Sequence, residues 1–284
     1  MLFTSQVSYA SLVAAAGQLT GAATAIHLGL VYDYPSPLFQ WAIQRISLGV
    51  APSDHTRDGW LQRGWPSRSL RTIPNGVPIH QFAPGPGRST ARKRLGLDEN
   101  IPIVAYVGRL VREKGVFTLL QAFAQIHRTT PNCCLLFIGA APGPEASQLR
   151  ALAQSLQLGA TVVRILPPTS APEEFYRAAD IVVVPSEWDE PFGLAPLEAA
   201  ACGTLTLVSD RGILPSFVAP LGPQAVFPSG NSAALAERIA FWLADPSHRA
   251  LQSSVLATFV RSQFDFTQCG DSYLAAFEAL RSAC

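Results

Sequence analysis

Short apolar runs, many of them β-branched, alternate with longer helical patterns along this chain, and that alternation constrains its fold more than any other feature. Ile103–Val107 (IVAYV) is the cleanest strand, with further strand-like runs at Cys133–Ile138, Val162–Leu166, Ile181–Val184 and Thr204–Val208. Helical spacing over Val116–Arg128, Glu145–Leu156, Pro172–Ala179, Leu194–Cys202 and Ala233–Leu243 lies between and after them. Strands separated by helix-length segments are not hairpins. They predict a parallel sheet whose faces are covered by the intervening helices. The first 80 or so residues repeat the pattern in shorter form: Leu2–Thr4, Ala23–Leu30, Leu48–Ala51 and Leu70–Ile73 read as strands, and Ser8–Leu19, Leu38–Ile46 and Asp54–Arg63 as helices.

A Pro/Gly-rich stretch, Phe82–Arg88 (FAPGPGR), reads as a linker between two such regions. The expected organisation is a partial Rossmann-like domain at 1–82 and a complete one at 83–262. The segment 263–284 is expected to be a separate amphipathic helix, because Tyr273, Leu274, Phe277 and Leu280 recur at helical spacing and need an apolar surface to cover. With 48% apolar and 14% charged residues among 284, the chain can fill a substantial core. A net charge of +1 argues against a nucleic-acid surface. No unbroken apolar run reaches the length of a membrane span, and the N-terminus lacks the basic region of a signal peptide. The five cysteines (133, 134, 202, 269 and 284) show no metal-ligand or disulfide-framework spacing and read as reduced thiols of a cytoplasmic protein.

Two constellations carry chemistry. Gly108-Arg109-Leu110-Val111-Arg112-Glu113-Lys114-Gly115 follows the strand Ile103–Val107 and precedes a helix. A strand-to-helix turn there would project Arg109 and Lys114 together, a planar donor fork and a point charge suited to phosphate. An ordinary solvated basic loop has the same composition. The second is PSEWDEPFGLAPLEAAACG, residues 185–203, which follows the buried strand Ile181–Val184 and runs into a helix. It holds Glu190 and Glu198, which in a continuous helix would be about 12 Å apart on roughly one face. A carboxylate on that helix can take ribose hydroxyls. Backbone N–H groups of the Phe192-Gly193-Leu194 segment can face a sugar or phosphate. Plain capping acids at a helix start would look alike.

Together these motifs resemble the donor-binding domain of family 4 glycosyltransferases, which have the two-domain GT-B architecture. The resemblance rests on Ile73-Pro74-Asn75-Gly76-Val77 with Phe82, on Tyr106–Leu110 with Glu113-Lys114-Gly115, on Phe137-Ile138-Gly139, on Ala179-Asp180 with Pro185-Ser186, and on Glu190–Gly203. It runs from about residue 20 to the end, and the order and spacing of the pieces make it specific. It implies an α/β fold with a complete C-terminal Rossmann-like domain, a terminal helix at 263–284 that returns to the first region, and a hexosyl transfer that retains anomeric configuration. No cofactor or metal is implied, and a nucleotide-diphosphate sugar serves as co-substrate. Arg109 and Lys114, with Gly108, would hold the diphosphate, and Glu198 the ribose. Glu190 would lie near the donor sugar, and the backbone of Phe192, Gly193 and Leu194 would touch sugar or phosphate. His27, at the end of the strand Thr24–His27, matches the histidine this family places near the donor sugar; a plain hydrogen-bonding role fits it equally.

The chain also departs from the family. Its first region lacks the opening strands and glycine-rich loop that usually face the donor phosphates, so about half of that domain is expected to be absent. Arg211-Gly212-Ile213-Leu214-Pro215-Ser216 stands where the family often has two adjacent glycines and a glutamate, and Pro167 where a glycine is common. A sheet short of strands exposes an edge and apolar faces, which implies a protein partner supplying the missing half, or low solubility. The acceptor is expected to be a carbohydrate or lipid-linked molecule, leaving peripheral membrane association open. Without the missing strands, an inactive donor-binding or assembly module is the alternative to an enzyme.

Overall fold

The computed structural model describes residues 1–34, 36–141 and 143–282, so Cys284 lies outside the described residues. The chain forms two compact units, one of residues 1–76 with 264–284 and the other of Val77–Gln263.

In the first unit, β1 (Leu2–Thr4), β2 (Thr24–His27), β3 (Leu48–Ala51) and β4 (Leu70–Thr72) pair in parallel in simple chain order. The connections carry α1 (Ala10–Thr20), α2 (Pro37–Ile43) and α3 (Asp54–Gln62). Alternation along the strands feeds two cores. Ile26 faces Phe39, Ile43, Trp60 and Trp65 beneath these helices, while its neighbour Ala25 joins Leu48, Val50 and Ile73 on the opposite face.

The second unit holds a six-stranded, all-parallel sheet. Its elements in chain order are α4 (Arg88–Arg94), β5 (Ile103–Val107), α5 (Val116–Thr129), β6 (Cys134–Ile138), α6 (Pro144–Ser155), β7 (Val163–Leu166) and α7 (Pro172–Ala178). They continue with β8 (Ile181–Val184), α8 (Ala195–Ala201), β9 (Leu205–Ser209), α9 (Leu214–Phe217), β10 (Val226–Phe227), α10 (Ser232–Ala244) and α11 (Pro246–Gln263). The strand order is β10-β9-β8-β5-β6-β7. The chain therefore winds outward from β5 through β6 to β7, then returns to β5's other side and winds the opposite way.

Phe82, read from composition as the end of the first region, belongs to this unit: its ring is buried against Tyr176, with centroids 6.2 Å apart. Arg177 secures the backbone around it, donating from Nε to Ala83 O (2.7 Å) and from a terminal nitrogen to Gln81 O (2.7 Å). The Pro/Gly stretch is thus partly anchored by packing rather than free throughout.

One buried carboxylate organises the base of the sheet. Asp180, just before β8, accepts from Arg92 (2.7 Å), Arg88 (2.8 Å) and Arg249 (2.9 Å), and from the Ile103 backbone N–H (2.8 Å). Arg92 and Arg249 are themselves buried, and their remaining N–H groups are taken up by carbonyls, including those of Ala178, Glu99 and Trp242. Buried charge is tolerable only when paired and hydrogen-bonded in this way.

The chain closes with α12 (Phe266–Ser282), part of the first unit. Ala276 is buried against Ala25, Leu48, Val50 and Ile73, with Cys269, Tyr273, Phe277 and Leu280 packed around it. Leu274, expected on this face, is 61% exposed instead. At 100° per residue it stands well off the stripe defined by residues 269, 273, 276 and 280.

Candidate donor-binding site

In a doubly wound sheet the crevice lies beyond the carboxyl ends of the two strands where winding reverses. Here those strands are β5 and β8, paired through Val104 with Ile181 and Ala105 with Val182. The loop after β5 carries Gly108, Arg109 and Lys114; the loop after β8 carries Glu187 to Glu190. The two loops are fastened together, since Glu187 N donates to Glu113 O at 2.8 Å. Gly115 makes the approach possible: its φ is +69°, and a Cβ there would sit 1.8 Å from Pro185 O.

A cleft of about 390 Å³ opens at this switch point, with Gly108, Arg109, Gly139, Thr169, Tyr176 and Glu198 among its lining residues. Arg109 is aimed by its own turn: the Tyr106 hydroxyl donates to Arg109 O at 2.7 Å. Burial, with a smaller contribution from the nearby Glu190 charge, pushes the Tyr106 phenol well above its ordinary range, so it stays a neutral donor. Glu198 reaches the cleft from α8 and accepts from the Tyr176 hydroxyl at 2.9 Å. Burial raises the Glu198 carboxyl above its ordinary value and the Glu173 charge adds to the effect, while the Tyr176 bond opposes it.

Lys114 and Glu190 meet in an ion pair, and Glu190 also accepts from Ser186 Oγ at 2.6 Å. The Lys114 ammonium lies 4.7 Å from the centroid of the Trp188 ring. Glu190 is buried, and its backbone is held as well: Ile213 N donates to its carbonyl (3.1 Å), and Gly212 (φ +55°) approaches so closely that a Cβ would fall 2.1 Å from that oxygen. The loop that departs from the family pattern keeps the glycine this contact requires.

Glu190 and Glu198 do not share a helix. The segment from Glu190 to Leu194 is loop, and α8 begins at Ala195, because Pro196 lacks an N–H and suits only a first helical turn. The helical separation expected between the two carboxylates therefore does not apply. The Phe192 side chain is buried on Phe217, with centroids 5.0 Å apart, leaving its backbone and those of Gly193 and Leu194 as the polar parts of the loop.

The structure thus brings Gly108, Arg109 and Glu198 to one cleft, and pairs Lys114 with Glu190. His27 lies in the first unit, where its Nδ1 shares a 2.8 Å hydrogen bond with the Tyr273 hydroxyl, and burial lowers its pKa. Reading the sequence missed Tyr176, Ser186 and Trp188 as site residues. Ser186 and Trp188 lie inside the acidic motif and could have been found by asking what a buried Glu190 would bond; Tyr176 reads only as one more apolar position of α7.

These parallel-sheet units, with a cleft at the switch point of the larger one that holds an arginine and a glutamate, define the class of GT-B-type glycosyltransferases. Sucrose-phosphate synthase from Thermosynechococcus elongatus superposes with a TM-score of 0.84 at 27% identity, over 99% of this chain and 74% of that one. Anabaena Alr3699/HepE in complex with UDP gives 0.87 at 22% identity, over 98% and 78%, a likeness of fold. Residues 87–254 match the family described as Glycosyl transferases group 1, and the chain belongs to that family. The D-inositol 3-phosphate glycosyltransferase of Segniliparus rotundus is 35% identical over 216 residues, 75% of this chain and 47% of that protein. The alpha-maltose-1-phosphate synthase of Mycolicibacterium smegmatis is 35% identical over 204 residues, 68% and 51%. The chain spans about half the length of these curated relatives. Among the described residues, no helix is long and apolar enough to cross a membrane.

Proposed function

We propose that the protein is a retaining glycosyltransferase that binds a nucleotide-diphosphate sugar at the β5–β8 crevice and transfers its sugar to an acceptor hydroxyl. The observation that carries this reading is the single cleft shared by Arg109 and Glu198. A cation for the diphosphate and a carboxylate for the ribose both line one space. Arg109 and Lys114 neutralise the diphosphate as it leaves, and these side chains supply that charge without a metal. Lys114, already paired with Glu190, links the phosphate end of the donor to its sugar end. The backbone N–H groups of Phe192, Gly193 and Leu194 add donors that need no side chain.

In the reaction, the bond from the anomeric carbon to the diphosphate oxygen breaks. The acceptor oxygen bonds to the same face of that carbon, and its proton passes to the departing phosphate. Relatives named for inositol 3-phosphate and for maltose 1-phosphate make a phosphorylated polyol or sugar the first acceptor class to test. The protein is assigned to the cytoplasm on this reading, with a lipid-linked acceptor as the case that would draw it to a membrane surface.

The test is a melting-temperature panel of UDP, GDP and ADP, followed by turnover with the matching donor. Saturable stabilisation by one diphosphate, lost in Arg109→Ala and Lys114→Ala, is expected; an unchanged melting temperature with all three would overturn the reading. A second reading, donor binding without transfer until a partner supplies further strands, is favoured by the first unit's surface. There β1 is a sheet edge, and Phe3, Tyr9, Leu12 and Leu19 are exposed on and near it. Nucleotide binding with no turnover, and co-purification of a strand-donating chain, would select it.

A further inference from the structure

The second unit contains another cavity, of about 410 Å³, formed where the Pro84–Arg88 segment meets α7, the end of α8 and α11. Three guanidinium groups line it, from Arg88, Arg177 and Arg261, together with the hydroxyl-bearing Thr204, Ser254 and Thr258. No Asp or Glu is among its lining residues.

The charges around it do not balance. Asp180 is shared by Arg88, Arg92 and Arg249, one carboxylate against three cations. Arg92 and Arg249 are sealed inside by their carbonyl partners, but the Arg88 side chain is 41% exposed and reaches the cavity. Burial holds the Arg88 pKa below its ordinary value, and Arg249 and Arg92 press the same way against the pull of Asp180. Arg177 is offset by Glu174, which it shares with Arg94. Arg261 has no ion pair among the described residues; its one hydrogen bond, to Ile79 O, is long at 3.4 Å.

From this geometry we infer that the cavity is an anion-binding site, separate from the donor cleft, for a phosphate dianion either free or as the monoester of a small sugar. Guanidinium forks suit tetrahedral oxyanions, with parallel N–H groups to two oxygens at once. The Ser254 and Thr258 hydroxyls now donate to carbonyls one turn back in α11, at 3.2 and 2.9 Å, and can rotate toward a ligand oxygen. An occupant would supply the negative charge that Asp180 alone cannot, and the pocket, open to solvent, is roomy enough to admit it. The site also abuts the C-terminal end of α8 at Cys202 and Gly203, while Ala195 and Glu198 of the same helix line the donor cleft.

The experiment is calorimetric titration of inorganic phosphate, and separately of glucose 6-phosphate, into the full chain in a zwitterionic buffer. The donor cleft can itself attract phosphate, so the same titrations are run on Arg109→Ala. A saturable response is expected that persists in Arg109→Ala and weakens about tenfold in Arg261→Gln and in Arg88→Gln, the loss of one charge-assisted hydrogen bond. Arg88→Lys, which keeps the charge beside Asp180, controls for folding. Tighter binding of glucose 6-phosphate would identify a sugar ester as the ligand, and equal binding free phosphate. No saturable response in the wild type, or one abolished by Arg109→Ala and untouched by Arg261→Gln, would overturn the assignment. The outcome does not depend on whether the donor cleft binds a nucleotide.

Discussion

The Tyr176 hydroxyl donates to Glu198 Oε2 at 2.9 Å, and Tyr176 is itself fully buried. Among the described residues it is the one side-chain donor to Glu198, and it fixes the carboxylate toward the cleft. Tyr176→Phe removes it without changing shape. Stability should fall by about 1–2 kcal/mol in urea unfolding, and nucleotide affinity should fall with it. A variant with unchanged affinity would show that Glu198 needs no positioning.

Glu198 also carries a pH signature. Its folded pKa lies above the reference value of 4.5, so in the window just above 4.5 the folded state holds more protons than the unfolded one. Stability contributed by this group is therefore greatest at low pH and declines as pH rises through the folded pKa. In Glu198→Gln that decline disappears. The difference in unfolding free energy between wild type and variant should move in the variant's favour from pH 4.5 upward, measured by urea titration at several pH values.

His27 behaves in the opposite sense. Burial lowers its folded pKa below 6.5, so on acidification the unfolded state protonates first. Stability of the first unit should hold at pH 8 and fall as pH drops through 6.5, levelling off below the folded pKa. His27→Gln should flatten that dependence; a wild-type urea midpoint independent of pH between 8 and 5 would contradict it.

Gly212→Ala should displace Glu190. The added Cβ meets Glu190 O at 2.1 Å in a backbone conformation unfavourable to alanine, with no flexible side chain to yield. A loss of about 1–3 kcal/mol is expected, with donor-sugar turnover falling more than nucleotide binding. Ser216→Ala, close by in α9 but exposed, should leave both unchanged.

Asp180→Asn leaves Arg88, Arg92 and Arg249 around a neutral amide. Breaking a buried pair in this way costs about 3–5 kcal/mol, so the variant should melt far lower or accumulate insoluble. A melting temperature within a few degrees of wild type would mean the three guanidinium groups are paired elsewhere.

Much of this architecture could be read from the chain because strand and helix periodicities are local. Ile103–Val107, Leu48–Ala51 and Ile181–Val184 are strands over the expected residues. The helix α11 escaped because two of the five positions on its buried face, Arg249 and Ser253, are polar, which breaks the apolar stripe. Arg249 is buried only because Asp180 waits for it, and no local pattern reveals that. The two-residue strand β10 and the four-residue helix α9 are too short to show a period. In the site, Arg109 and Glu198 stand out by motif, whereas Tyr176 and the cavity at Arg261 arise from side chains meeting across long stretches of sequence.

The Asp180 cluster has a consequence for synthesis. Its four members sit at positions 88, 92, 180 and 249, so a growing chain displays two of the arginines long before the acid exists, and the third only near the end. The central strands can assemble early around local apolar contacts, yet the carboxylate acquires its full set of cations only once α11 has left the ribosome. Ribosome-bound chains stopped before residue 249 should accordingly be easily digested, and those extended beyond α11 should resist protease.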